Sequence, residues 1–138
     1  MPGWAFPFVT AATAGALGIW HVLLTMHVGL GRVKYRTALG DGGHEELAHR
    51  MRMQSNLTES APLFLVLLGL LEMSAAWPRL VLILGPTMVL VRIVHTFGLS
   101  MRFSTGANSF RAIGFVGTVL VMLIVSVACL LVALPRFR

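Results

Sequence analysis

Four long apolar stretches dominate this chain, from Trp4 to Leu30, Ala61 to Trp77, Pro78 to Ser100 and Ser109 to Leu134. A helix needs about 20 residues to cross a hydrocarbon layer of roughly 30 Å. Lipid offers no partner to a backbone N–H or C=O, so a segment placed there must satisfy its own hydrogen bonds as a helix. The pattern predicts an all-α, integral-membrane four-helix bundle, with residues 1–138 forming one four-span domain. Charged residues make up 12% of the chain, about half the share usual in a soluble domain.

The second span is apolar only from Ala61, but its helix is expected to begin near His44 or Glu45. Asp41-Gly42-Gly43 supplies a turn, and Glu45 and Glu46 suit the positive end of a helix dipole. Trp77-Pro78 leaves almost no connection, which predicts a tight antiparallel pair of spans two and three. Pro135 is expected to end the fourth span. Pro62 removes the amide that would bond back to Thr58, so a bend beside Glu59 is expected. The first apolar run is too long for a signal core and lacks basic residues before it, so it reads as a retained span. Cys129 reads as a small apolar residue between helices.

The net charge of +6 does not point to nucleic acid, because the basic residues lie in connections between spans. An even number of spans puts Arg79, Arg136 and Arg138 on one side with both termini. Arg32, Lys34, Arg36, Arg50, Arg52, Arg102 and Arg111 fall on the other. The positive-inside rule makes this second side cytoplasmic and both termini non-cytoplasmic.

One stretch breaks the apolar pattern. Arg52, Asn56 and Glu59 stand at i, i+4 and i+7 as span two enters the membrane, on one helix face. An Arg at the bilayer centre costs roughly 2.5–3.5 kcal/mol on insertion scales, and less toward the interface. Arg92 and His95 share a face of span three, Arg111 opens span four, and Arg32 closes span one. All are expected at one depth in the cytoplasmic half. Glu59 alone could neutralise Arg52 or Arg92 and so fix helix register. The excess of Arg over carboxylate instead suits an anionic ligand, because a guanidinium offers a planar fork to carboxylates.

Other polar residues carry milder readings. His21 and His27 lie on poorly matched faces, so interhelical hydrogen bonding is expected ahead of metal binding. His95 is open to three readings, a ligand contact, a helix–helix hydrogen bond, or neither. Glu72 is expected at the outer interface or bonded to Arg79, and His44 and His49 in solvent. Gly15 with Gly18 and Gly114 with Gly117 are small patches suited to close helix contact. Asn56-Leu57-Thr58 matches a glycosylation sequon, but on the cytoplasmic side it is not one. Span one holds no acidic residue, which argues against a small multidrug exporter.

Arg52-x-Gln54-x-Asn56-x-x-Glu59, followed by Ala61-Pro62-Leu63-Phe64-Leu65, resembles the signature of the MAPEG family, the membrane-associated proteins of eicosanoid and glutathione metabolism. Arg92-x-x-His95-Thr96 with Gly98 resembles the third-helix motif of its prostaglandin E synthase branch. The resemblance extends over the whole four-span plan and implies a homotrimer that binds glutathione as co-substrate between subunits, near the cytoplasmic face of a bacterial inner membrane. It implies that Arg52, Asn56 and Glu59 hold the tripeptide, with Gln54, Arg92, His95 and Arg32 as further contacts. Arg111, at the start of span four, would steady the glutathione thiolate as the catalytic residue. The implied reaction is transfer to, or reduction of, a lipophilic small-molecule or lipid substrate arriving from the membrane lipid. The alternative within the same fold is a non-catalytic lipid-binding or scaffold protein. Ser60 and Leu99 stand where the family often has tyrosine, and His95 lies further from Arg111 than in the prostaglandin branch.

Overall fold

A computed structural model describes residues 6–100 and 109–137. Trp4, Arg102 and Arg138 lie outside the described residues. Four helices follow in order: α1 (Phe8–Tyr35), α2 (Glu45–Met73), α3 (Pro78–Ser100) and α4 (Ser109–Ala133). At 1.5 Å per residue the shortest is about 35 Å long. Each is long and apolar enough to cross a membrane.

Helix ends differ from the apolar boundaries where polar groups extend a helix beyond them. α1 runs past Leu30 to Tyr35, with Arg32 and Lys34 in its last turn, where cations favour the helix dipole. It stops at Arg36, whose left-handed φ of 51° lets its N–H reach Arg32 and Val33 carbonyls. α2 begins at Glu45, as expected, and continues through Pro62 to Met73. Ala75 turns the chain with φ 53°, and Pro78 takes the first position of α3, where its missing N–H costs nothing. α4 ends at Ala133, but Pro135 does not end the winding: Leu134–Phe137 tighten into a 3₁₀ turn.

Each helix buries one stripe. On α2 it is Met53, Leu57, Ala61, Phe64, Leu68 and Leu71, spaced three and four apart. Phe64 and Leu68 are fully buried, against Leu84, Met88 and Val125 in the same core. Outward residues such as Ile19, Leu63, Ile83 and Leu120 are exposed and apolar, as a lipid-facing surface requires.

The short Trp77-Pro78 connection predicted that α2 and α3 would be the tight pair. The more extensive contact is between α3 and α4. Glycine is the reason. A Cβ on Gly98 would lie 2.4 Å from the Arg111 nitrogen, and one on Gly114 would lie 2.4 Å from the His95 Cβ. Gly117 faces Val91 in the same way. Gly15 and Gly18, expected to do the same for α1, have open space around them.

At the end opposite the basic residues, Glu72 reaches the start of α1. Its carboxylate accepts the Val9 and Thr10 N–H groups at 2.8 Å each and the Thr10 hydroxyl at 2.7 Å. Of the two readings for Glu72, the outer end is where it lies; in place of a bond to Arg79 it caps a helix N-terminus, where unpaired donors and the dipole both favour an anion.

Candidate functional site

At the basic end, the outer face of α2 carries Arg52, Ser55, Asn56 and Glu59 between two grooves. One, of about 470 Å³, lies beside the 36–44 connection and includes Arg32, Asp41, Arg52 and Gln54. The other, of about 440 Å³, includes Asn56, Glu59, Ser60 and Arg92, with a wall of Phe115, Val119, Met122 and Leu123 from α4. Arg52 and Glu59 join across the divide at 3.6 Å, each more than half exposed. The convergence expected at one depth thus separates, within one protomer, into two clusters on opposite flanks of α2. Arg32 and Gln54 face the α1 side; Asn56 and Arg92 face α3 and α4.

In the first groove, one Arg32 nitrogen donates to the carbonyls of Ala38 and Gly40 at 2.9 and 3.2 Å. These oxygens turn inward because Arg36 and Gly40 take left-handed φ angles of 51° and 65°. Among the described residues the other terminal nitrogen meets the Met51 sulfur, at 3.8 Å, a weak acceptor. Gln54 donates to the Thr25 hydroxyl at 2.8 Å, tying α2 to α1.

In the second, Arg92 is 3% exposed. It donates to the Asn56 side-chain oxygen and, at 3.4 Å, to the Thr118 hydroxyl. Its Nε and the Ser60 hydroxyl are buried without a hydrogen-bond partner among the described residues. Both belong to residues lining this groove, and a buried polar group left unpaired costs about 1–3 kcal/mol. Asn56 and Thr118 are neutral, and Glu59 is paired with Arg52. The arrangement offers hydrogen-bond donors and positive charge to an acceptor beside an apolar wall.

His95 and Arg111 meet through a backbone atom. The His95 Nδ1 lies 3.1 Å from the Arg111 carbonyl oxygen, and His95 is 4% exposed. The Arg111 side chain is exposed. Of the readings left open for His95, the structure supplies the helix–helix bond. Leu99 is buried in the core, away from both grooves.

Thr118, Thr96 and Trp20 were not legible as site neighbours. The Trp20 indole donates to Thr96 at 3.4 Å, and Thr96 donates to the Arg92 carbonyl at 2.9 Å. Thr118 stands four residues after Gly114 in an apolar run, a spacing that places both on the α3-facing stripe. The histidines of α1 depart from expectation. His21 lies 3.5 Å from Thr25 on its own helix, and His27 contributes its carbonyl to Arg50 at 2.9 Å. Among the described residues, neither makes the interhelical side-chain bond expected of it. His44 stacks on Tyr35 at 4.3 Å between ring centres, while His49 pairs with Glu45 in the open.

Two curated relatives match part of the chain: Inner membrane protein YecN of Escherichia coli (strain K12) and its counterpart in Escherichia coli O6:H1. Each is 37% identical over 71 residues, covering 51% of this chain and 54% of the relative. The match therefore spans about half the length of these relatives. The MAPEG family model matches residues 10–131, which takes in the signature on α2, the Arg92-His95 segment and nearly all of α4. With four apolar helices in a strand-free arrangement among the described residues, this chain belongs to the MAPEG family of integral membrane proteins.

Proposed function

We propose that the protein is a glutathione-dependent membrane transferase or peroxidase, working as a homotrimer with its basic end at the cytoplasmic face. One observation carries the reading. A helix long enough to span a membrane exposes the charged pair Arg52–Glu59, and beside it the Arg92 Nε and the Ser60 hydroxyl lack acceptors among the described residues. Lipid does not satisfy such a face. A second copy of the chain would bring the Arg32 groove of one protomer toward the Asn56 groove of the next. Glutathione, with two carboxylates and one ammonium, matches a face of several guanidiniums and one carboxylate.

In this reading Arg52, Asn56, Glu59 and Arg92 bind the tripeptide, with Gln54 and Arg32 on the neighbouring side. The Arg111 guanidinium lies beside the thiol and favours its anion, which lowers its pKa. The thiolate sulfur attacks a lipophilic electrophile, a carbon–sulfur bond forms, and the leaving group departs with the electron pair. The apolar wall from Phe115 to Leu123 gives such a substrate a path from the membrane.

Detergent-purified protein is expected to bind glutathione in calorimetry and to conjugate an aryl halide. Arg111→Ala should lower turnover more than binding, whereas Arg52→Ala should weaken binding. No binding at millimolar glutathione, with the trimer intact, would sink the proposal. Ser60 and the buried Leu99, in place of tyrosines, favour a second reading as a lipid-binding protein. That reading expects a lipid to co-purify with the trimer and Arg111→Ala to leave its retention unchanged.

A further inference from the structure

The proposed chemistry uses the Arg111 guanidinium, yet that side chain is exposed, and Arg111 is only the third residue of α4. α3 packs directly against this turn. Gly98 and Gly114 let the two backbones touch on either side of the crossing. Such contacts set how near the helices come, but smooth glycine surfaces do not by themselves fix how far one slides along the other. A directional hydrogen bond does.

The bond between His95 Nδ1 and the Arg111 carbonyl oxygen, 3.1 Å long, lies at this crossing. A carbonyl only accepts, so Nδ1 carries the proton in the neutral and the charged ring alike. Burial of His95 to 4% exposure keeps water from competing. We infer that His95 is a positioning residue: its Nδ1–H bond to the Arg111 carbonyl sets the register of α4 against α3. It thereby sets the place of the Arg111 guanidinium relative to Arg92. The use made of Arg111 rests on the glutathione reading; the register does not.

The test uses the full chain in detergent as wild type, H95N, H95Q and H95A. Asparagine offers an amide N–H near the place of Nδ1, whereas glutamine offers one near the place of Nε2. Hydrogen exchange in the first two turns of α4 reads the register, and the pH profile of bound glutathione's thiolate absorbance reads the guanidinium. H95A and H95Q should exchange about five- to tenfold faster, as expected for one lost hydrogen bond, and move thiol ionisation to higher pH. H95N should stay within about twofold of wild type in both, the mark of a retained bond.

Exchange in H95N as fast as in H95A overturns the inference, as does wild-type exchange in H95A. Faster exchange with an unchanged thiolate profile overturns the link to Arg111. If wild type binds no glutathione, the glutathione reading fails, and the exchange series alone decides the register.

Discussion

Arg92 is almost fully buried, and the groups it donates to, Asn56 and Thr118, are neutral. Its bond to Asn56 is therefore worth more than a surface contact, since hydrogen bonds to charged groups contribute about 1.5–3 kcal/mol. Asn56→Ala should lower the unfolding free energy by about that amount, measured by denaturant titration in detergent. Wild-type stability in this variant would mean that Arg92 finds another acceptor. The pairing was half legible in the sequence, because i, i+4 and i+7 spacing placed Asn56 with Arg52 and Glu59. That Arg92 would face them followed only from topology. Where Arg32 and Glu72 point was not legible. Their partners are backbone groups, exposed by the left-handed angles at Arg36 and Gly40 in one case and by the unpaired start of α1 in the other. No residue type in the sequence encodes those groups.

At the scale of helices, the sequence located the starts of α3 and α4, because Pro78 suits the first position of a helix and Ser109 opens the last apolar run. Partner choice was less accessible. A glycine pair on a spanning helix faces either a neighbour or open surface, and nothing in the residue says which. Gly114 and Gly15 separate the cases. Gly114→Ala should destabilise by about 1–3 kcal/mol, the usual cost of overpacking, since its Cβ would meet His95 backbone at 2.5 Å. Gly15→Ala meets no described neighbour and should be neutral or stabilising by about 0.5–1 kcal/mol through helix propensity. Thermal unfolding of the two variants checks the contrast, and equal losses would show that the α3–α4 contact is not close.

For the whole molecule, the four-helix plan was the most legible feature, because backbone satisfaction in lipid leaves helices as the solution for such runs. The charge distribution makes a claim about orientation that can be measured. In a Cys129→Ser background, cysteine replaces Leu39, which is 87% exposed in the 36–44 connection, or Ala75 in the opposite turn. An impermeant maleimide added to intact cells should label the Ala75 variant and spare the Leu39 variant. The reverse pattern would invert the positive-inside assignment and move the candidate site to the other face.

The cap made by Glu72 has a counterpart at the far end of the same two helices. There Glu46 accepts from Lys34, Tyr35 and Arg50, while Arg50 also holds the His27 carbonyl. α1 and α2 are thus fastened to each other near both ends, by groups that all lie before Ser74 in the chain. None of these fastenings waits for α3 or α4. During synthesis, the first two helices can close into a hairpin, with the start of α1 already capped, while the second half of the protein is still being made.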